Sequence, residues 1–296
     1  MATLHKVTSG NQQRGSVPLN IWPCAQTSAQ WQRRGRYVKE SFEHPGKMLP
    51  DLARRIIETY SAPGGLVVDP MCGIGTTMIE GAVLGRRCIG VDLEPRWASV
   101  AVANIDHILD DEQWARAEVR VGDARELPQV LGDLSGTVDL IATSPPYACE
   151  VGRVDKEAWA RGDVLCDPAS LNYSADRSNL GHLRQEQYRE AMLAVYEACL
   201  TTLRPGGFLV TVTKNMHQGG RLVHLAGITS SLAQQAGFGY FQHNLALLGG
   251  LQDGVIKARP SFWQQSHARR AHACGIRRHL VAHEDVLVFV KPEVCP

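Results

Sequence analysis

The chain has 296 residues, of which 44% are hydrophobic and 21% charged, and its formal net charge is +1. This is the composition of an ordinary globular protein, and it excludes a disordered tail protein and a collagen-like fibre. The sequence contains no apolar run of about 18 residues and begins with a polar segment, so we expect neither a membrane span nor a secretory signal.

Residues 1–43 show no regular periodicity, and the first forty carry six basic side chains against one acid, so we predict an N-terminal basic arm. From Leu49 apolar residues recur at i, i+3 and i+4, which predicts a helix that starts at Pro50 and stops before Pro63. Strands and helices then alternate. The predicted strands are LVVD, CIGVD, EVRVGD and VDLIAT, and the predicted helices between them cover about 76–84 and 95–109.

Residues 148–182 are polar and irregular, which in a compact domain is typical of either a functional or a disordered segment. The alternation then resumes, with predicted helices at 187–203 and 221–235 and predicted strands at 208–213, 241–248 and 286–291. This order predicts an α/β fold with a mostly parallel central sheet flanked by helices. We expect one catalytic domain, 44–296, with insertions for target recognition at about 148–182 and 249–283.

The turn Asp69-Pro70-Met71-Cys72-Gly73-Ile74-Gly75-Thr76-Thr77 joins the first predicted strand to a helix. Its glycines let the backbone approach a ligand closely. The acids Asp92 and Asp123 follow the next two strands, where they are placed to bind a ribose and an adenine amino group. Only one GxG is present, which favours a nucleoside without phosphates over a dinucleotide. A GxG turn alone is more often structural, but the two strand-end acids favour a binding site.

A second motif, Thr143-Ser144-Pro145-Pro146-Tyr147, follows the fourth predicted strand. Two prolines make a rigid backbone that presents carbonyl groups and no N–H donors. The Ser144 hydroxyl and the Pro145 carbonyl are therefore suited to accept protons from an amino group on a planar substrate. Tyr147 is suited to stack on its ring. The simple alternative is a strand that ends in a tight turn.

TSPPY and DPMCGIGTT together resemble the S-adenosylmethionine-dependent amino methyltransferases of DNA. HPGKMLP, at 44–50, resembles the segment that precedes the cofactor loop in those enzymes, and HEDVLVFVK, at 283–291, resembles their last strand. The resemblance covers 40–147 well, and 187–214 and 283–291 more loosely. It implies a Rossmann-like methyltransferase fold and S-adenosylmethionine as the cofactor.

The resemblance also implies roles for single residues. Asp69, Gly73 and Gly75 would lie at the methionine end of the cofactor, Asp92 at its ribose and Asp123 at its adenine, with Lys47 or Thr76 at its carboxylate. The full cofactor-binding set is Lys47, Asp69, Pro70, Cys72, Gly73, Gly75, Thr76, Asp92, Asp123 and Ala124. The implied catalytic set is Ser144, Pro145, Pro146 and Tyr147.

SPPY is the form of the motif that is commonest among N4-cytosine enzymes, whereas N6-adenine enzymes more often have DPPY or NPPY. The resemblance therefore implies a site-specific DNA methyltransferase in which a flipped cytosine attacks the methyl group directly through N4. N6 of adenine is the nearest alternative. An RNA or protein substrate, or a non-catalytic nucleic-acid-binding protein, are further ones. The motif order differs from the permuted order of many N4-cytosine enzymes, and no large recognition domain follows.

A basic segment between Gly254 and His283 contains no acid, which suits a DNA phosphate backbone. A solvated basic surface is the alternative. The candidate DNA-binding residues are Lys257, Arg259, Arg269, Arg270, Arg277 and Arg278.

The eight dispersed cysteines form no CxxC pair, so we expect reduced thiols, no metal site and a cytoplasmic location. The expected partner is double-stranded DNA, with a restriction endonuclease of the same restriction-modification system as a further candidate. The oligomeric state is left open.

Overall fold

A computed structural model describes residues 18–146, 179–180, 183, 185–218, 221–259, 262–277 and 279–293. Their strands are β1 (Ile21–Trp22), β2 (Leu66–Asp69), β3 (Arg87–Asp92), β4 (Ala117–Val121), β5 (Val138–Thr143), β6 (Leu203–Thr213), β7 (Met216–Gln218), β8 (Arg221–Val223), β9 (Gly239–Leu247), β10 (Gly249–Gln252), β11 (Val255–Ala258) and β12 (His283–Val290).

The α-helices of the same residues are α1 (Ala29–Arg33), α2 (Pro50–Tyr60), α3 (Thr76–Val83), α4 (Pro95–Ile108), α5 (Asp111–Trp114), α6 (Leu127–Leu131), α7 (Gln185–Thr202), α8 (Leu225–Gln235) and α9 (Phe262–Ala273). Short 3-10 helices cover Lys39–Glu43, Ala124–Glu126 and Gly132–Leu134. None of the described helices is long and apolar enough to cross a membrane.

Eight strands form one sheet in the order β1-β9-β12-β6-β5-β2-β3-β4. The pairs are parallel except those of β12, which runs antiparallel to both β6 and β9. The predicted α/β fold with a mostly parallel sheet is therefore confirmed. Because β12 is reversed, its first residues lie at the same edge as the carboxyl ends of β2, β3, β5 and β6.

Hydrophobic side chains cover the sheet on both faces. One cluster packs α2, α4 and the segment around Trp22 on one face, and the other packs α7 and α8 on the opposite face. The apolar stripe predicted for α2 is confirmed, because Leu52, Ile56 and Ile57 are completely buried. This arrangement fixes the strand ends, and with them the side chains that follow each strand.

The structure differs from the sequence prediction in three segments. Residues 221–223 form β8, so the predicted helix begins only at Leu225. The β10–β11 hairpin and α9 lie inside the predicted insertion 249–283, for which the sequence predicted no strand or helix. Part of the predicted arm is built into the domain, since Ile21 pairs with Leu245 and Trp22 is buried.

Candidate active site

A cavity of about 690 Å³ opens at the carboxyl edge of the sheet. A single cavity thus brings together strand ends and loops that are distant in sequence. Its lining includes residues 25–33, 44–49, 69–77, 92–97, 123–125, 144–146, 179–180, Lys214, Leu248, Arg259 and Glu284, with gaps within these ranges. Of the predicted site residues, Lys47, Asp69, Pro70, Cys72, Gly73, Thr76, Asp92, Asp123, Ala124, Ser144, Pro145 and Pro146 line it.

The loop after β2 is organised by Asp69. Its carboxylate accepts hydrogen bonds from the Thr77 hydroxyl at 2.7 Å and from the Met71 N–H at 3.2 Å. Burial raises the pKa of Asp69 to about 6. Gly75 does not line the cavity but caps α3 with φ at +81°, a conformation that a residue with a side chain adopts at a cost.

Asp92, at the end of β3, holds two backbone groups. One carboxylate oxygen accepts from the Gly73 N–H at 2.8 Å and the other from the Glu94 N–H at 2.9 Å. Burial raises the pKa of Asp92 above its ordinary value. Glu94 also lines the cavity, and its Oε1 atom is buried without a hydrogen-bond partner. Asp92 therefore fixes the loop, and Glu94 offers an unsatisfied acceptor to a ligand.

Asp123, after β4, is already engaged. Its carboxylate accepts from the Arg125 N–H at 2.9 Å and from the Arg125 guanidinium. An adenine amino group at Asp123 would share the carboxylate with Arg125.

The motif after β5 forms the wall of the cavity next to the cofactor loop. Ser144 is half-buried, and Pro145 and Pro146 lie beside it. The Tyr188 hydroxyl, on α7, donates to the Pro146 carbonyl at 3.0 Å and so fixes the end of the diproline. Tyr147 lies outside the described residues.

The segment before α2 closes the cavity over the glycine loop. His44 packs edge-on against Trp97, with ring centroids 4.6 Å apart, and a Cβ on Gly73 would lie 3.1 Å from its Nε2. Burial lowers the pKa of His44 to about 4, so the ring is neutral at pH 7. Burial and nearby Arg33 lower the pKa of Lys47 to about 8, and its ammonium donates to the His44 carbonyl.

The candidate DNA-binding residues are distributed differently. Arg259 lines the cavity, and its guanidinium donates to the Ala25 carbonyl at 3.1 Å and the Gln26 carbonyl at 3.0 Å, so it joins β11 to the N-terminal segment. Lys257, Arg269 and Arg277 are exposed. The side chain of Arg270 and the whole of Arg278 lie outside the described part of the chain.

Sequence reasoning missed part of the site. Lys214 and Glu284, the charged residues at the strand ends, are separated by a long stretch of chain and stand in no local motif. Glu94 stands two residues after Asp92, which the sequence did identify. The cavity residues that the sequence did not predict are Arg33, His44, Glu94, Trp97, Arg125, Lys214 and Glu284. Tyr188, which supports the diproline from outside the cavity, was not predicted either.

The carboxylates that line the cavity fit a nucleoside that carries positive charge. Two buried carboxylates, Asp69 and Asp92, lie under the cavity, and the unsatisfied Glu94 oxygen can accept from a hydroxyl group. S-adenosylmethionine provides ribose hydroxyls together with a sulfonium and an ammonium charge. The buried carboxylates and the unsatisfied Glu94 oxygen therefore fit S-adenosylmethionine as a ligand of this cavity.

Comparisons with known proteins show which sequence family and which fold the chain resembles. The sequence model of the N6/N4 family, described as DNA methylase, matches residues 3–103. This match, over about a third of the chain, confirms the resemblance to DNA amino methyltransferases that the motifs indicate. The solved structure of the [4+2]-cyclase SpnF has the same fold, with a TM-score of 0.51 and 14% identity over 92% of this chain and 99% of that one.

Curated relatives act on different nucleic acids. The chain is 33% identical over 144 residues to the tRNA (guanine(10)-N2)-dimethyltransferase of Methanocaldococcus jannaschii, covering 46% of this chain and 40% of that protein. It is 31% identical over 91 residues to the DNA adenine methyltransferase YhdJ of Escherichia coli, covering 30% and 28%. It is 41% identical over 59 residues to the type II methyltransferase M.MthZI of Methanothermobacter thermautotrophicus, covering 20% and 17%. The chain thus spans less than half the length of each of these three.

Proposed function

We propose that the protein methylates the exocyclic N4 of cytosine in double-stranded DNA, with S-adenosylmethionine as the methyl donor. The observation that carries the proposal is the position of Ser144-Pro145-Pro146, which lines the same cavity as the cofactor loop and follows the adjacent strand. The DNA methylase match over residues 3–103 supports DNA as the substrate class.

The residues of the motif address a specific chemical difficulty. The lone pair of an exocyclic amine is delocalised into the ring, so the nitrogen is a weak nucleophile. Hydrogen bonds from its two N–H groups to the Ser144 hydroxyl and the Pro145 carbonyl favour a pyramidal nitrogen, a stabilisation that is largest in the transition state. The cofactor supplies an electrophilic methyl group on a sulfonium. Transfer of the methyl group to the amine nitrogen would release the thioether form of the cofactor, and the amine would give up one proton to solvent.

A base inside a duplex cannot reach such a cavity, so the proposal requires that cytosine flips out of the helix, at a cost of a few kcal/mol. Tyr147, at the end of the motif, would stack on the flipped ring. We assign phosphate contacts to the exposed side chains of Lys257, Arg269 and Arg277. Arg259 instead belongs to the wall of the cavity, because its guanidinium is held by backbone carbonyls.

Product analysis tests the proposal. The purified protein is incubated with methyl-labelled S-adenosylmethionine and either unmethylated genomic DNA or unmodified tRNA, and the digested nucleosides are identified by mass spectrometry. N4-methylcytosine in DNA is expected, and Ser144→Ala should reduce its rate while leaving the affinity for S-adenosylmethionine unchanged. Labelled N6-methyladenine would retain the amine chemistry and refute cytosine as the target.

The second candidate function is methylation of guanine N2 in tRNA, which the similarity to the tRNA (guanine(10)-N2)-dimethyltransferase favours. The same experiment decides it, because N2-methylguanosine in the tRNA sample and no label in DNA would replace the first proposal.

Binding to DNA is tested separately. Replacing Lys257, Arg269 and Arg277 together by Met should weaken DNA binding and reduce its salt dependence, since each phosphate contact contributes to the slope. The control is Arg87→Met, at the exposed start of β3 on the opposite edge of the sheet. Equal effects of the two changes would refute the assignment of the basic segment.

A further inference from the structure

Two charged side chains face each other at the cavity edge, beyond the Ser144 motif. Lys214 follows β6, and Glu284 is the second residue of β12. Asp285 pairs with Thr213 in the antiparallel ladder, so Glu284 and Lys214 occupy the next opposed positions and project from the same face of the sheet. Both line the cavity that also contains Ser144.

Neither side chain has a partner that explains its charge. Within the described ranges, the Lys214 ammonium and the Glu284 carboxylate make no hydrogen bond and no ion pair within 4 Å. Burial lowers the pKa of Lys214, and the negative charge of Glu284 opposes that change. Burial raises the pKa of Glu284, and the charges of Lys214 and Arg33 oppose it. Two groups that burial makes costly to charge thus lie at the cavity without a direct contact between them.

Arg33 completes the group and is fixed in place. Its guanidinium donates to the Met48 carbonyl at 2.6 Å and to the Lys47 carbonyl at 3.2 Å. Two of its nitrogens therefore hold the wall of the cavity together, while its Nε is buried without a partner. Among the described residues, the Lys214 ammonium has none of its hydrogen bonds committed.

The strand order places this group relative to the reacting amine. From the cofactor loop the edge runs through β2, β5, β6 and β12, and neighbouring strands are about 4.8 Å apart. Ser144 follows β5, so Lys214 lies one strand further from the cofactor and Glu284 two. A base whose amino group is held at Ser144 would extend its Watson–Crick edge over β6.

Resting on the proposed function, we propose that Lys214 recognises the target cytosine by donating hydrogen bonds to ring N3 and carbonyl O2, and that Glu284 positions the Lys214 ammonium. Along its Watson–Crick edge, cytosine presents these two acceptors one after the other, next to its amino group. Adenine presents one acceptor, N1, and then a C–H group, and guanine presents an N–H donor beside its amine. Lys214 is therefore a specificity-determining residue that favours cytosine, tolerates adenine poorly and disfavours guanine.

The test compares Lys214→Met with a lysine at the opposite end of β12. Lys291 is also a partly buried lysine, and its ammonium donates to the Leu203 carbonyl at 2.7 Å, remote from the cavity. We expect Lys214→Met to lower kcat/KM for DNA on the order of 10- to 100-fold, the range for a lost charged hydrogen bond, and to leave the Kd of S-adenosylmethionine unchanged. Lys291→Met should change neither quantity.

The variant Glu284→Gln tests the positioning role. Because the Glu284 carboxylate holds the pKa of Lys214 up, its loss should move the basic limb of the pH profile of kcat/KM to lower pH. Lys214→Met should remove that limb. A purely structural role for Glu284 would lower stability and leave the limb in place, which refutes the assignment.

The outcomes separate the two proposals. Suppose that the wild-type protein forms N4-methylcytosine. Recognition by Lys214 is then refuted, and the proposed function stands, if Lys214→Met is as fast as the wild type. The same holds if the variant loses affinity for S-adenosylmethionine to the same degree as it loses activity. If the wild-type protein forms N2-methylguanosine in tRNA instead, both fail.

Discussion

The buried carboxyl group of Asp69 predicts that the affinity for S-adenosylmethionine depends on pH. Its pKa is raised from 3.8 to about 6 in the folded protein, mainly by burial. A bound cation stabilises the ionised form and so moves the pKa back down, which by linkage means that the cofactor binds more tightly where Asp69 is already ionised. The affinity should therefore rise with pH between 5 and 7.

The size of the effect follows from the two pKa values. With a pKa of about 6, roughly nine-tenths of the unliganded protein carries a protonated Asp69 at pH 5, and about a tenth at pH 7. If the cofactor restores the ordinary pKa, its Kd should be about tenfold higher at pH 5 than at pH 7. His44, with a pKa of about 4, and Lys47, with a pKa of about 8, stay mostly in one charge state over this range.

Isothermal titration calorimetry at pH 5, 6 and 7 measures this dependence. Asp69→Asn should abolish most of it, whereas Asp133→Asn, at an exposed position, should leave the tenfold change intact. A wild-type Kd that does not vary with pH, or an equal slope in Asp69→Asn, would refute the reasoning. The raised pKa also means that Asp69 makes its full contribution to the stability of the unliganded protein below about pH 4. This contribution is lost as the pH rises through 6, and the loss should appear as a lower Tm.

Three further changes have defined outcomes. Tyr188→Phe removes the 3.0 Å hydrogen bond to the Pro146 carbonyl and should lower kcat about three- to tenfold with the cofactor Kd unchanged. Gly75→Ala places a side chain at φ +81° and should lower the free energy of unfolding by about 1–2 kcal/mol, measured in urea. Glu80→Ala leaves Arg36 without its 2.6 Å partner, and because Arg36 reaches solvent we expect a loss of about 2 kcal/mol by the same measurement.

Matched controls separate these effects from general damage. A decrease in cofactor affinity for Tyr188→Phe would contradict its role in fixing the diproline. Gly64→Ala also changes a glycine at positive φ but lies away from the cavity, so it should destabilise without affecting cofactor affinity. Glu112→Ala removes an exposed i,i+4 partner of Arg116 and should cost less than about 0.5 kcal/mol. If Glu80→Ala costs as little, the buried pair contributes no more than a surface one.

The part of the site that follows parallel strands could be predicted from the sequence. Asp69, Asp92 and Ser144 each follow a recognisable apolar strand, and the carboxyl ends of parallel strands share one edge. Lys214 follows β6, a parallel strand, but stands in no recognisable motif. Glu284 escaped prediction because the sequence contains no signal that the last strand runs in the opposite direction. Its reversal brings the start of β12, rather than its end, to the cavity.

The basic segment shows a different limit. Counting positive charges identified Arg259 as a DNA contact, but whether a guanidinium faces solvent or backbone carbonyls depends on a partner segment more than two hundred residues away. The β10–β11 hairpin did carry a local signal, because Asp253-Gly254 between apolar residues is typical of a two-residue turn. The sequence prediction made no use of that signal.

The parallel pairing of β1 with β9 has a consequence for the order of events during synthesis. Ile21 and Trp22 are translated early, but their partners Leu245 and Ala246 appear on the ribosome only after more than two hundred further residues. Arg33 belongs to the same early segment and depends on it to reach the cavity wall. A nascent chain therefore contains the loop after β2 long before Lys214 and Glu284 can complete the cavity.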